Sequence, residues 1–158
     1  MFPSFTAECD DIVATHHALL KSEIPRLSKR WLELKPPVGL LQPWQQLVGV
    51  LMPHMEKEEA ILFPQLRALD AGQAPTGCGI IGPIKQMNYE HGFISTLEVC
   101  VRNAAHLAGP EERALLALMD DLAVHAQRED HELFTAALAA ALRMAGAPVE
   151  VDEDVAEA

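Results

Sequence analysis

Apolar side chains recur three and four positions apart along most of the chain. That spacing places them on one face of an α-helix, and no useful length of sequence alternates apolar and polar residues as a half-buried strand does. Proline and glycine divide the pattern into segments, which predict helices over about residues 7–34, 41–70, 83–108 and 110–146. Four long helices joined by connections of moderate length are typical of an all-α, up-down-up-down four-helix bundle.

Each predicted helix carries one histidine within its apolar stripe, and two of the stripes also carry a glutamate four positions later. Residues four apart lie one above the other on a helix, so each such pair can present an imidazole and a carboxylate to one point. The stripes are Val13, His17, Leu20, Ile24, Leu27 and Trp31; Trp44, Leu47, Leu51, His54, Glu58 and Ile61; Ile84, Met87, His91, Ile94, Leu97 and Val101; and Leu115, Leu118, Leu122, His125, Glu129 and Leu133.

Turning these stripes inward brings four imidazoles and two carboxylates into the interior of the bundle. An unpaired ionised carboxylate in such an interior costs several kcal/mol, so it must be protonated, paired or bound to a metal. The stripes contain no lysine or arginine to pair with these carboxylates. Two divalent cations would resolve the cost, with the carboxylates bridging and the neutral imidazoles as terminal ligands.

Each of these residues taken singly also has an ordinary structural interpretation. A histidine in an apolar stripe is more often a hydrogen-bonded core residue, and a single His-x3-Glu is common as a surface pair. The joint pattern favours metal binding, because HMEKEEAILF at 54–63 matches HAQREDHELF at 125–134. Each string also follows its upstream stripe histidine by a similar interval. This internal repeat predicts two metal ions with near-equivalent ligand sets.

At these residues the sequence resembles the hemerythrin-like (HHE cation-binding) family, over about residues 8–140. It is most similar to the iron-sulfur-cluster repair di-iron proteins, in HMEKEEAILFP at 54–64, GPI at 82–84, YEH at 89–91 and the final His-x3-Glu. The resemblance implies a cofactor of two non-haem iron ions bridged by carboxylates, with an oxo bridge as a further option. The ligands it implies are His17, His54, Glu58, His91, His125 and Glu129.

The chain departs from the family patterns at several positions. Oxygen-carrying hemerythrins have a second imidazole one turn after the third-helix histidine, where this chain has Ser95. They end in a His-x4-Asp string, which His125 and Asp130 could mimic. We prefer Glu129 because it lies about 40° round the helix from His125, whereas Asp130 lies about 140° away. The N-terminal Cys-containing domain of the repair proteins is expected to be absent.

Neighbouring residues receive other interpretations. His17 is preferred to His16 as a ligand because only His17 falls in the stripe. Glu90 lies about 100° round the helix from His91, so we expect it to be exposed, with a contact to a ligand or a proton relay as the alternative. Cys9 and Cys100 are expected to be buried, and Cys78, in a glycine-rich loop, is the plausible reactive thiol.

Composition narrows the compartment and the partners. The 158 residues carry a formal net charge of −11, and an anionic surface repels phosphate backbones and acidic lipid. Binding to nucleic acid or membranes is therefore not expected. The N-terminus has no signal-peptide pattern, and the three cysteines form no CxxC pair, so a cytoplasmic location is expected. We predict one bundle over residues 1–146 and a disordered acidic tail over 147–158.

Six protein ligands leave two bridged metals short of full coordination, so positions remain for O₂, NO, peroxide or labile iron. The leading hypothesis is a role in oxidative or nitrosative stress or iron homeostasis, either binding O₂ or NO or supplying iron to damaged iron-sulfur clusters. Its partners would be a small diatomic ligand or peroxide, and iron-sulfur proteins. The alternatives are a catalase-like enzyme that decomposes peroxide and a module that binds or senses O₂.

Overall fold

The computed structural model describes residues 4–34, 38–75 and 79–146. Within these ranges the chain is mostly helical and contains no strand, which confirms the predicted all-α class. Among the described helices, none combines the length and the apolar character needed to cross a lipid bilayer. The predicted acidic tail at 147–158 and the predicted reactive thiol Cys78 lie outside the described residues.

The described helices form four continuous runs, and π-helical turns interrupt three of these runs. The elements are α1 (Phe5–Ile12), π1 (Val13–His17) and α2 (Ala18–Leu34); α3 (Val38–Lys57), π2 (Glu58–Leu62) and α4 (Phe63–Asp70); α5 (Ile81–Ala104) with a 3₁₀ turn (Ala105–Glu111); and α6 (Glu112–Arg128), π3 (Glu129–Leu133) and α7 (Phe134–Met144). The runs agree with the predicted segments to within a few residues at each end.

Local sequence determines where the runs begin and end. Ser4 caps α1, because its hydroxyl oxygen accepts the N–H of Ala7 at 3.2 Å. Gly109 adopts φ 58° immediately before Pro110 and separates α5 from α6. A positive φ of this kind favours glycine, and proline cannot continue the preceding helix, so the chain reverses at the predicted break.

The runs pack along one another and bury two apolar clusters. α3 lies along α5, α1 along α4, and α6 contacts both α2 and α5. Cluster 1 includes Trp31, Leu47 and Leu115. Cluster 2, toward the other end of the runs, includes Phe63 and Phe134. Between the two clusters lies a layer of buried histidine and glutamate side chains.

The predicted stripe of the second run is wrong at its last position. Ile61 is 52% exposed, whereas Leu62 and Phe63 are buried. The prediction assumed α-helical spacing beyond Glu58, but π2 adds one residue to the turn that follows this glutamate. The extra residue rotates the downstream side chains by about 100° relative to an α-helix, so the inward face passes from Ile61 to Leu62.

The two described cysteines differ. Cys9 is buried, as predicted, and belongs to cluster 2. Cys100 is exposed, so the expectation that it is buried is wrong. Its neighbour Val101 takes the inward position on α5, and adjacent residues on a helix point about 100° apart.

Candidate metal centre

The six predicted ligands lie together in the layer between the two apolar clusters. Their donor atoms form two groups, each with all atoms within 4.8 Å of one another. We define position A as the group of His17, His125 and both glutamates, and position B as the group of His54, His91 and the same glutamates. All six residues are buried, and the most exposed of them, His91, is only 5% exposed.

At position A, the Nε2 atoms of two imidazoles converge on two carboxylate oxygens. His17 Nε2 lies 3.1 Å from His125 Nε2. Glu58 Oε2 is 3.3 Å from His17 Nε2, and Glu129 Oε1 is 3.0 Å from His125 Nε2. Four donor atoms from three helical runs therefore face a common point.

Position B repeats this arrangement with the other oxygen of each glutamate. His91 Nε2 lies 2.9 Å from His54 Nε2. Glu58 Oε1 is 3.2 Å from His54 Nε2, and Glu129 Oε2 is 3.3 Å from His91 Nε2. Each carboxylate thus presents one oxygen to each position, which is the geometry of a carboxylate that bridges two cations.

The carboxylates of Glu58 and Glu129 have no hydrogen-bond partner within the described chain. All four of their oxygens are buried, and the imidazole nitrogens nearby do not meet them with hydrogen-bond geometry. An uncompensated buried carboxylate costs free energy, so positive charge beside these four oxygens would stabilise the fold. Neutral imidazoles and shared carboxylates are a donor set that iron and other first-row metals accept, so the residues present fit two cations.

The π-helical turns place the proposed ligands. His17 ends π1, Glu58 begins π2 and Glu129 begins π3. Each glutamate lies four residues after the histidine on the same run and therefore shares its face. A π-turn is rare and occurs frequently at functional sites, so its recurrence at the three turns that carry proposed ligands supports a functional role for the layer.

Carboxylates from neighbouring runs orient three of the four imidazoles. The Nδ1 atoms of His17, His54 and His91 each donate to one carboxylate. Their partners are Glu59 at 2.7 Å, Glu90 at 2.9 Å and Asp130 at 2.6 Å, respectively. Such a bond places the ring proton on Nδ1 and leaves the Nε2 lone pair facing the proposed metal position.

Cations in turn hold two of these orienting carboxylates. Lys21 Nζ donates to Glu59 at 2.6 Å. Glu90 accepts from Lys57 Nζ and from the side-chain amide of Gln86, the latter at 2.8 Å. Although burial opposes the charged form, the contacts to Lys57, Gln86 and His54 lower the pKa of Glu90 to about 2.

The buried charges also shift the pKa values of the proposed ligands. Burial opposes charge on His91, but its hydrogen bond to Asp130 and the nearby negative charge of Glu129 outweigh burial and raise its pKa to about 10. Burial likewise opposes the charged form of Glu129, whose pKa the imidazoles of His125 and His91 nevertheless lower. The carboxylate of Glu129 therefore stays ionised and attracts positive charge, which protons or metal ions can supply.

Three residues beside the stripes have positions that the stripe pattern did not resolve. Glu129 faces both positions, whereas Asp130 faces Nδ1 of His91. The expectation that Glu90 is exposed is wrong, since it is 9% exposed and bonded to His54. His16 is also buried, at 8% exposed, and stacks on His125.

A cleft of about 320 Å³ reaches the layer from the surface between α5 and α6. It is lined by His91, Ser95 and Asp130, among others. Ser95 lies one helical turn after His91 on α5. Its small hydroxyl side chain leaves the cleft open beside His91, which is 5% exposed.

The fold and this donor set define a helical cation-binding protein, and comparison with known families agrees. The family model described as hemerythrin HHE cation binding domain matches residues 10–137. The chain therefore belongs to the hemerythrin HHE cation-binding family.

Among curated proteins, the chain is similar to iron-sulfur cluster repair proteins. The protein YtfE of Escherichia coli O157:H7 is 32% identical, over 82% of this chain and 64% of the relative. YtfE proteins of Escherichia coli O1:K1 and of Escherichia fergusonii are each 29% identical over the same shares. The chain thus spans less than two thirds of the length of these relatives.

Proposed function

We propose that this protein is a non-haem di-iron protein whose four helical runs form an up-down-up-down bundle around positions A and B. The observation that carries the proposal is the arrangement of the two glutamates. Each presents one buried, unpartnered oxygen to each position. Two ions bridged by these carboxylates would neutralise charge that no described lysine or arginine side chain reaches.

In this proposal, His17 and His125 hold one iron ion, His54 and His91 hold the other, and Glu58 and Glu129 bridge them. Bound iron would supply redox chemistry and exchangeable coordination positions at the centre. Glu59, Glu90 and Asp130 fix the rings so that each Nε2 faces inward. Clusters 1 and 2 exclude water from both sides, which leaves the cleft beside His91 as the approach for small molecules.

We propose a role for this centre in oxidative or nitrosative stress, through binding of NO or O₂ or through supply of iron to damaged iron-sulfur clusters. The relatives named as iron-sulfur cluster repair proteins support that role, as does the burial of the donor set, which protects an ion until a small ligand reaches it. The partners would be iron-sulfur proteins, and the compartment the cytoplasm.

An anaerobic titration with Fe(II) tests the proposal. We expect two ions per chain, and optical absorption should then change on addition of NO or O₂. The loaded protein should also restore an iron-sulfur enzyme inactivated by NO, whereas the His54→Ala, His125→Ala double variant should not. Binding of one ion, or undiminished binding by the double variant, would contradict the di-iron centre. Sustained turnover of added peroxide without transfer of iron would instead assign a catalase-like function.

A further inference from the structure

Three of the four imidazoles in the layer have a carboxylate on Nδ1, and the fourth does not. The exception is His125, whose Nδ1 is buried and has no hydrogen-bond partner among the described residues. Position B therefore has two anchored imidazoles, whereas position A has one. The two positions share both glutamates, so this difference lies in the residues around the rings.

The internal repeat shows which residue is responsible. Glu90 precedes His91 and reaches across to the Nδ1 of His54. His16 precedes His17 in the corresponding way and lies against the ring of His125, with centroids 5.4 Å apart and planes at 10°. Position 16 thus corresponds to position 90, but it supplies an imidazole where position 90 supplies a carboxylate.

A carboxylate does lie close to His125 along its own helix, but it is engaged elsewhere. Asp121 is one turn before His125 on α6, and its Oδ1 accepts the Nδ1 proton of His16 at 2.9 Å. This bond holds the ring of His16 in its stack with His125. The ring of His125 at position A therefore packs against His16, but His16 does not polarise it, because no described residue forms a hydrogen bond with the Nδ1 of His125.

We propose that the two metal positions differ in affinity, and that position A binds its ion more weakly and releases it first because His16 occupies the place of an orienting carboxylate. A carboxylate on the distal nitrogen fixes a ligating imidazole and raises its basicity, and its loss typically lowers metal affinity by about 10–100-fold. His16 is thus a positioning residue. The inference rests on the proposed binding of two ions, and in a protein that supplies iron it identifies position A as the donor.

An anaerobic Fe(II) titration of the metal-free protein against a chromophoric chelator tests this inference. The wild type should bind in two steps whose dissociation constants differ by about tenfold or more. His125→Ala should remove the weaker step, and His54→Ala should remove the tighter one. Two ions bound with equal affinity would overturn this inference alone, whereas a total of one ion would contradict the di-iron proposal itself.

Substitution of His16 tests the inference in the opposite direction, because it should increase the affinity of position A for iron. His16→Glu should place a carboxylate beside His125 and tighten the weaker step by about tenfold, with the tighter step unchanged. The matched change Glu90→Gln should instead weaken the tighter step, because a neutral amide replaces the carboxylate on His54. If His16→Glu does not fold, judged by far-ultraviolet circular dichroism, then His16→Gln should still tighten the weaker step through its amide oxygen. An unchanged weaker step in the folded variant, or loss of the weaker step in His54→Ala, would overturn the assignment.

Discussion

Adjacent carboxylates in this protein have different tasks that depend on which atom of an imidazole they face. In each half of the repeat, the first carboxylate of a pair faces Nε2 atoms, and the second faces the Nδ1 of a histidine on another run. Glu58 and Glu59 form one such pair, and Glu129 and Asp130 the other. Facing Nε2 makes a carboxylate a candidate ligand, and facing Nδ1 makes it an orienting group.

This difference leads to a prediction for Asp130→Asn and Glu129→Gln. Asp130→Asn should keep two iron ions per chain but weaken binding by about 10–100-fold, because the ring of His91 loses its carboxylate. Glu129→Gln removes a bridging anion and should reduce the stoichiometry itself. Metal analysis combined with chelator competition separates the two results. The reverse outcome, with lost stoichiometry only in Asp130→Asn, would make Asp130 the ligand.

The six proposed ligands could be predicted from the sequence because each lies in an apolar stripe and because two of the stripes repeat His-x3-Glu. Glu90 and His16 could not be predicted in this way. Each lies next to a stripe histidine but about 100° round the helix, and its role depends on which neighbouring run it meets. A usable signal was nevertheless present, since the repeat aligns residue 16 with residue 90 and residue 59 with residue 130.

At the scale of the helices, the π-turns explain why an α-helical pattern was nearly sufficient but failed at Ile61. A π-turn accommodates one extra residue without breaking the helix, so the stripe continues on the same side in a shifted register. In π2 the exposed residue is Ile61, and the inward side resumes at Leu62. The spacing of apolar residues alone cannot reveal such a turn. A π-turn is defined by its backbone hydrogen bonds, and these do not alter which residues the sequence contains.

Deletion of Ile61 tests this description of π2. Without the extra residue, the run can continue as an α-helix while Leu62 and Phe63 keep their inward direction. We expect the deletion variant to retain its helix content and cooperative unfolding but to bind iron more weakly, because Glu58 no longer begins a π-turn. Circular dichroism and iron titration provide the two measurements.

Deletion of Gln46, an exposed residue of α3, is the control. This deletion removes a residue from a regular α-helix and rotates the part of the run after position 46 by about 100° relative to the part before it. This variant should lose its cooperative unfolding. Equal disruption by both deletions would show that π2 contains no dispensable residue.

A contact between helix ends provides a prediction about pH. Asp70, the last residue of α4, accepts from the hydroxyl of Ser4 at 2.7 Å and from the backbone N–H groups of Phe5 and Thr6 at 3.1 and 2.8 Å. Although partial desolvation opposes the charged form, these bonds lower the pKa of Asp70 from 3.8 to about 2. A lowered pKa in the folded state stabilises the fold above the unfolded value, and this stabilisation is lost as pH falls toward 2.

Asp70→Asn should therefore lower the free energy of unfolding at pH 7 by about 0.5–1 kcal/mol, a small effect because the carboxylate is exposed. The difference from wild type should shrink as pH falls from about 4 to 2. Urea unfolding in the presence of chelator measures it without a contribution from metal. Asp10→Asn is the control, since Asp10 forms a surface ion pair with Arg67 at 2.7 Å and should change stability less. A deficit independent of pH would contradict the capping role of the Asp70 charge.

At the scale of the whole molecule, the polar layer divides what would otherwise be one continuous apolar core. Cluster 1 and cluster 2 lie on either side of it. The all-helical class and the four runs could be predicted from periodicity, proline and glycine, since these are local signals. Which carboxylate from one run meets which imidazole on another depends on side-chain packing across runs, which local periodicity does not encode.

Because the layer holds buried carboxylates between two apolar clusters, the stability of the whole molecule should depend on metal. Each bound ion should stabilise the folded protein by roughly 4 kcal/mol when free metal is about 1,000-fold above its dissociation constant. Glu58→Gln should abolish most of this increment, because it removes an anion that both positions share. Leu115→Ala, a change within cluster 1, should lower stability by about 2–5 kcal/mol with or without metal and leave the increment intact. Melting curves of the three proteins, recorded with iron and with chelator, measure these differences. A stabilisation by iron of equal size in wild type and Glu58→Gln would show that the carboxylate layer does not hold the metal.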